Sequence, residues 1–404
     1  MISVSLLVAG LVCVVLALRG EDLGRTISTG CQASQALECG LPNMPVLISG
    51  EASSDLALWS TFPTGQLATT GVWVRLVDAR SGAADGPQVH LSGSLAQQGV
   101  IGVYNPASRR YLVLWQFGDE ISGQLLNDRL QVAGPGFQIP AHDYYVRPGE
   151  LATDPAGGFL FSQAQNPDGG LETQTHVFVT RISATGQPVN TASWPVSNDA
   201  RPFQFAEAHA VYVPASGGYL VAWSLYGTTG TTLADRIVDT SAKPLPGVHT
   251  VASGADAAGA DFALGYQPQT AATRVIWLSH SGTGATTLLS MHLNTSGTSA
   301  GPPQSLGQVS PIPDEEPADL SGLTLAPAPH KDIANWQGFD AIDTFTVPLS
   351  TAPVSVTRTP LRGASGNYTH ASATNTAALT LAVLSTSNQG SLSQLYARVT
   401  PLPN

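Results

Sequence analysis

Lysine is almost missing from this chain. Lys243 and Lys331 stand alone among 404 residues, and charged residues of every kind reach 11%, where about a quarter is usual. The formal net charge is −11. With no basic stripe to offset it, the sequence argues against nucleic acid as a partner, because phosphate binding needs clustered cations. Cysteine is equally scarce, with three residues, Cys13, Cys31 and Cys39, so a thiolate zinc site is improbable. There is no G-x-S-x-G elbow, no H-E-x-x-H pair and no phosphate-cradling glycine loop, which leaves nucleophilic, zinc and nucleotide chemistry unsupported. The acidic group Asp314, Glu315, Glu316 and Asp319 lacks the alternating spacing of a calcium loop and reads as a solvated segment. No metal and no cofactor are expected.

Long hydrophobic runs are absent except for one. Residues Ile2 to Leu18 are almost unbroken apolar sequence, a length between a signal-peptide core and a minimal membrane span. The expectation is a signal peptide or membrane anchor over residues 1–19, placing the rest of the chain outside the cytoplasm, secreted or tethered. Residues 20–44 then form a linker. In an oxidising compartment the pair Cys31 and Cys39, within GCQASQALECG, is expected to form a disulfide.

What the chain has in abundance is small turn formers and short apolar stretches, with Gly 41 and Pro 29. Seven pairs recur at near-constant spacing: Arg75-Leu76, Arg129-Leu130, Arg181-Ile182, Arg236-Ile237, His292-Leu293, Pro348-Leu349 and Arg398-Val399. Upstream of them a second pattern repeats, clearest as VYNPASRRYLVLWQ from Val103 and VYVPASGGYLVAWS from Val211. Proline presets a β-turn and cannot sit in a central strand. The pattern therefore reads as strand A, a turn, a strand B ending in tryptophan, and a strand C ending near the arginine. A short strand D follows.

Copies of this length built from short strands predict an all-β, seven-bladed β-propeller of four-stranded antiparallel blades over residues 45–404. After Arg398-Val399 too little chain remains for a last strand D. A strand from between Arg25 and Leu41 is expected to close the ring, since an open edge would otherwise be left unpaired.

The tryptophans at one phase, Trp59, Trp115, Trp223, Trp277 and Trp336, tempt a reading as a sugar-stacking platform. Filling the space between adjacent sheets is the simpler role for so large a side chain. Gln163 and Leu384 take this position in blades three and seven.

The blade pattern Y-x-P-A-S-x-x-Y-L-V-x-W resembles that of secreted bacterial β-propeller proteins with degenerate Y-D-P-A-S-G-x-Y-L-V-V-W repeats. The resemblance spans roughly residues 45 to 404 and is sharpest in blades two and four. It implies the fold and an extracytoplasmic setting, and it carries no catalytic residues to this chain. Neither the S-x-D-x-G-x-x-[TS]-W box of sialidases nor periodic G-H and W-D pairs occur.

In such a ring the D-to-A and B-to-C loops share one face. The unusual residues concentrate there: His142, Asp143, Tyr144, Tyr145 and Arg147 before blade three, and Asp199, Arg201, Phe203 and Phe205 before blade four. Phe117 and Tyr226 lie in B-to-C connections. Aromatics mixed with arginine and carboxylates on loops over a rigid scaffold suit a binding surface. The expected function is an exported, non-catalytic propeller binding a protein or glycan at the cell surface. The alternatives are a polysaccharide-acting hydrolase or lyase, with Glu150, Glu207 and Asp261 near the starts of inner strands as its carboxylates, and a structural envelope protein.

Overall fold

The computed structural model describes Arg25–Thr26 and most of the chain from Leu41 to Leu402. Residues 1–24, 27–40 and several longer connections, among them 63–70, 93–98, 141–150, 166–175, 198–205, 255–260, 281–285, 310–322 and 361–369, lie outside the described residues. The expected N-terminal hydrophobic segment and the Cys31–Cys39 disulfide fall there.

Seven antiparallel sheets of four strands make up the molecule. Blade four is the most regular, with strand A Ala206–Val213, strand B Gly218–Gly227, strand C Gly230–Asp239 and strand D His249–Ser253. Each strand A approaches the strand A of the next blade around the full circle, so the first strands line the axis. The chain is a seven-bladed β-propeller. Blade one begins at Leu41, slightly ahead of the boundary at 45 read from the repeat.

Blade seven takes its outer strand from the other end of the chain. Arg25 pairs with Ala397 and Thr26 with Tyr396, beside strands Leu392–Pro401, Thr380–Gln389 and His370–Asn375. First and last segments therefore share one sheet, and the edge that a linear array would expose is covered.

Strand pairing corrects one reading of the repeat. Arg75 opposite Ala57 and Arg236 opposite Val221 occupy equivalent positions on strand C. Arg181 and His292 lie one residue further along, opposite Leu160 and Arg274, and Arg398 lies one residue earlier, opposite Val383. Pro348 sits opposite Lys331 at the strand end, and Arg129-Leu130 falls in the turn after a strand C that ends at Asn127. The arginines are thus not one structural position.

The residue that keeps register is the one ending strand C or following it directly: Asp78, Asn127, Ser183, Asp239 and Asn294. Asp78 Oδ1 accepts hydrogen bonds from the Arg80 and Ser81 amides, and Asn127 Oδ1 from those of Arg129 and Gln131. Asp239 accepts from Ser241 and Lys243, Asn294 from Ser296 and Thr298, and the Ser183 hydroxyl from Gln187. These short side chains satisfy amides that a tight C–D turn would otherwise leave unpaired. Pro348 and Leu402 hold the corresponding places in blades six and seven and cannot do this.

The core is divided among the spaces between blades. Trp223 packs with Leu160, Val177 and Val179 of blade three, while Leu220, Ala222 and Ile237 on the opposite face pack with Phe262 and Trp277 of blade five. Trp59 packs with Ala382 and Leu395 of blade seven, and Trp115 with Leu56 and Leu58 of blade one. Trp59, Trp223 and Trp277 are 0–1% exposed. Each fills the gap toward the preceding blade, as the reading of tryptophan as core required.

Polar clasps supplement this packing on the face carrying the A–B and C–D turns. Asn105, buried, donates from Nδ2 to the carbonyls of Asp154 and Gly158 in blade three, while its Oδ1 accepts from Ala107 and Ser108. The Arg181 guanidinium of blade three meets Asp154, and the Tyr219 hydroxyl of blade four donates to the same Asp154 oxygen at 2.7 Å. Arg274 and Gln267 of blade five reach Asp332 of blade six. Asn375 of blade seven donates to Asp55 of blade one, and Thr380 to the Ala79 carbonyl. Every such group is buried with its partner, which is the condition under which buried polar atoms stabilise.

Candidate functional site

Strand alternation builds two different faces on the ring. The turn face is closed by the repeated Asp, Asn and Ser turns just described, and its hydrogen bonds are used within those turns and in the clasps between blades. Hydrogen bonds from Ser81 hold Asp78 below the usual carboxylate range, so even its charge is committed to the turn. The opposite face carries the B–C hairpins and the entries to strand A, where the residues do not repeat.

On the rim of blade two, strand B Arg110–Phe117 ends in Phe117, which is 46% exposed and pairs with Glu120 across the hairpin. Its counterpart in blade four, two residues past the tryptophan, is Leu225, which is 1% exposed. Gly118 turns the hairpin at φ 57, a conformation glycine adopts without strain. Gln116 Nε2 donates to the Gly118 carbonyl, and Glu120 accepts from Gln138 on strand D.

Near the axis, Glu207 and Asp261 are structurally equivalent. Glu207 pairs with Ser224 and Asp261 accepts from the Leu278 amide, each opposite the residue after a blade tryptophan. Glu207 shares a strand face with His209, whose Nε2 lies 3.8 Å from its carboxylate and whose ring meets Phe262 of blade five. Asp261 shares its face with Ala263, which packs toward blade six. The two carboxylates therefore point into different inter-blade spaces. Among the described residues there is no group of three His, Cys, Asp or Glu that could hold a metal ion, and no helix long and apolar enough to cross a membrane.

No family model matches the sequence, and no curated protein matches it. Solved structures do. A putative 6-phosphogluconolactonase from Bacteroides fragilis is similar over 87% of this chain and 96% of its own, with TM-score 0.52 and 12% identity. A protein from Lactobacillus plantarum is similar over 86% and 99%, with TM-score 0.50 and 13% identity. At such identities the likeness is one of fold alone.

Of the residues expected to form the binding surface, Phe117 stands on the rim as described. Tyr226 is placed on strand B of blade four opposite Thr231, at the B–C end. His142, Asp143, Tyr144, Tyr145, Arg147, Asp199, Arg201, Phe203 and Phe205 lie outside the described residues, as does Glu150.

Sequence reasoning passed over other groups. Asp235 is fully buried, and burial pushes its carboxyl up to about 8, with His249 Nδ1 3.2 Å away. Gly297 of blade five, at φ +86, leaves the room for it: a Cβ there would lie 2.4 Å from Asp235 Oδ1. Asp235 precedes Arg236, and attention to the repeated arginine obscured the acid beside it. Gln163, read from the sequence as a departure from the tryptophan phase, is fully buried.

Proposed function

We propose that this chain is an exported, non-catalytic β-propeller that binds a protein or glycan at the cell surface through its loop face. The carrying observation is the contrast at one blade position, where Phe117 is left 46% exposed while Leu225 is buried. A large aromatic on the rim of an otherwise packed scaffold suits a contact surface. The divergent orientation of Glu207 and Asp261 weighs against a hydrolase, whose two carboxylates must flank one bond.

Chain direction supports the arrangement. Strand C of blade seven runs from the loop face at Leu392 to the turn face at Pro401, so the antiparallel Arg25–Thr26 strand is entered from the turn-face side. Residues 19–24 span at most about 22 Å when extended. A tether at Ile2–Leu18 would therefore hold the turn face toward the membrane and the loop face away from it.

The test is glycan-array and affinity-capture screening of the full chain beside Phe117→Ala and, as a turn-face control, Val189→Ser. Capture reduced by Phe117→Ala and unchanged by Val189→Ser is expected. Polysaccharide cleavage abolished by Glu207→Gln or Asp261→Asn would overturn the non-catalytic reading.

A further inference from the structure

Exposed apolar side chains are unevenly shared between the two faces. Among the described residues, every large one other than Phe117 lies on the turn side: Val132, Val189, Leu245, Val248 and Leu379, each 38–64% exposed. Single exposed apolar residues need no explanation, but three of these recur at one place. Val132 pairs with Leu126, Pro188 with Ile182 and Pro244 with Val238. Val132-Ala133, Pro188-Val189 and Pro244-Leu245 are thus the same two steps after the C–D turn in blades two, three and four. The amides of Ala133, Val189 and Leu245 donate back to the Leu125, Arg181 and Ile237 carbonyls, which pins each pair at the end of its strand C. Neighbouring turns also abut. A Cβ on Gly134 would lie 2.8 Å from the Thr185 carbonyl of blade three, and the Thr240 carbonyl of blade four accepts from Arg181.

Charge is divided in the same sense. Both lysines of the chain fall on the turn side, Lys243 in the C–D turn of blade four and Lys331 at the start of strand B in blade six. Arg80 and Arg129 stand exposed in the C–D turns of blades one and two. The carboxylates there are largely engaged, Glu51 and Asp128 by Arg109, and Asp78 and Asp239 by their own turns, with Asp85 exposed at the start of strand D in blade one. The acidic surplus behind the net charge of −11 belongs by sequence to the loop-side connections, as in Asp314, Glu315, Glu316 and Asp319 before blade six.

We propose that the turn side of blades one to four is a docking surface for an anionic lipid bilayer. Val132, Val189 and Leu245 enter the interfacial layer, and Arg80, Arg129 and Lys243 meet lipid phosphates. The acidic loop side is repelled by the same surface and faces away from it. The path of the chain selects a bilayer over a protein as the occupant. Strand Arg25–Thr26 is entered from the turn side, and only residues 19–24 separate it from the apolar run Ile2–Leu18. The inference rests on that run being a tether, and it leaves the loop face free for recognition.

An environment-sensitive fluorescent amino acid is incorporated at position 132, 189 or 117 of the full chain. The protein is reconstituted with vesicles of phosphatidylcholine alone or mixed equally with phosphatidylglycerol, and quenching by doxyl-labelled lipid reads contact with the bilayer. Positions 132 and 189 should be quenched in the mixed vesicles, and position 117 should not. Arg129→Glu combined with Lys243→Glu should lower quenching at 189 by about threefold or more, and so should phosphatidylcholine alone. If that variant has a lowered melting temperature, high salt on the unaltered chain must give the same loss. Equal quenching at 117 and 189, or quenching at 189 indifferent to charge reversal, lipid charge and salt, would overturn the proposal. A vesicle-bound chain unquenched at 132 and 189 would remove the docking surface and leave the tether. A chain that does not associate with vesicles would remove the tether, and the docking with it.

Discussion

Replacing Asp154 by alanine should destabilise the ring at the junction of blades three and four far more than a surface change would. Asp154 and Arg181 are paired with side-chain exposures of 3% and 11%. Asp154 also accepts from the Tyr219 hydroxyl at 2.7 Å and the Gly158 amide at 2.9 Å. Without the carboxylate, Arg181 keeps its bonds to the Phe159 and Thr240 carbonyls but loses its counter-charge. Stranding one member of a buried ion pair costs about 3–5 kcal/mol, and the orphaned Tyr219 hydroxyl adds about 1 kcal/mol. Arg181→Met should cost less, because Tyr219 and Gly158 still stabilise Asp154. The double variant Asp154→Ala/Arg181→Met should recover most of the loss, giving a coupling of about 2 kcal/mol or more. Urea unfolding followed by tryptophan fluorescence reads all four proteins. A cost below about 1 kcal/mol for Asp154→Ala, or additive effects in the double variant, would refute the assignment of this pair as a clasp.

Two further outcomes follow from buried polar groups. Asn105→Asp keeps the acceptor for Ala107 and Ser108 but sets a carboxylate against the carbonyls of Asp154 and Gly158. It should cost about 3 kcal/mol, and the loss should grow with pH in equilibrium unfolding; a cost that is flat with pH would contradict the donor role. Burial pushes Asp235 up to about 8, and Asp55 and Asp332 up to about 6, from a usual value near 4. The folded state therefore holds protons that the unfolded chain releases, so this stability is complete below about pH 4 and is lost as pH rises through 6 to 8. Melting temperature should fall across that range, and Asp235→Asn should flatten the upper part of the fall; an unchanged profile would show that Asp235 is not held protonated.

The fold was legible because strand alternation, proline turns and a periodic tryptophan each carry a local physical cause. The missing last strand of blade seven could be inferred from the same count, since a ring tolerates no open edge. The arginine phase was less sound. Long side chains on outer strand surfaces tolerate shifts of one residue, whereas a turn-capping Asp or Asn at 78, 127, 239 or 294 does not, and those residues hold the true register. The clasps were not legible, because Asn105, Asp154 and Arg274 find partners in the next blade, far along the chain: Asp154, Tyr219 and Asp332. Gln163 was visible as a departure from the tryptophan phase, but its burial with an unpaired amide emerges only once two sheets face each other. The candidate rim was legible as composition alone, and of its residues Phe117 is the one whose exposure the structure supplies.

The proposed function puts recognition on the loop face. Site-specific photo-crosslinking checks this, with a photoreactive residue placed at Phe117 on that face or, on the turn face, at Val189, a residue 59% exposed. The full chain is examined at the surface of cells. Crosslinks to one discrete partner from position 117, absent from position 189, are the expected result. Equal crosslinking from both positions, or crosslinking from 189 alone, would contradict it.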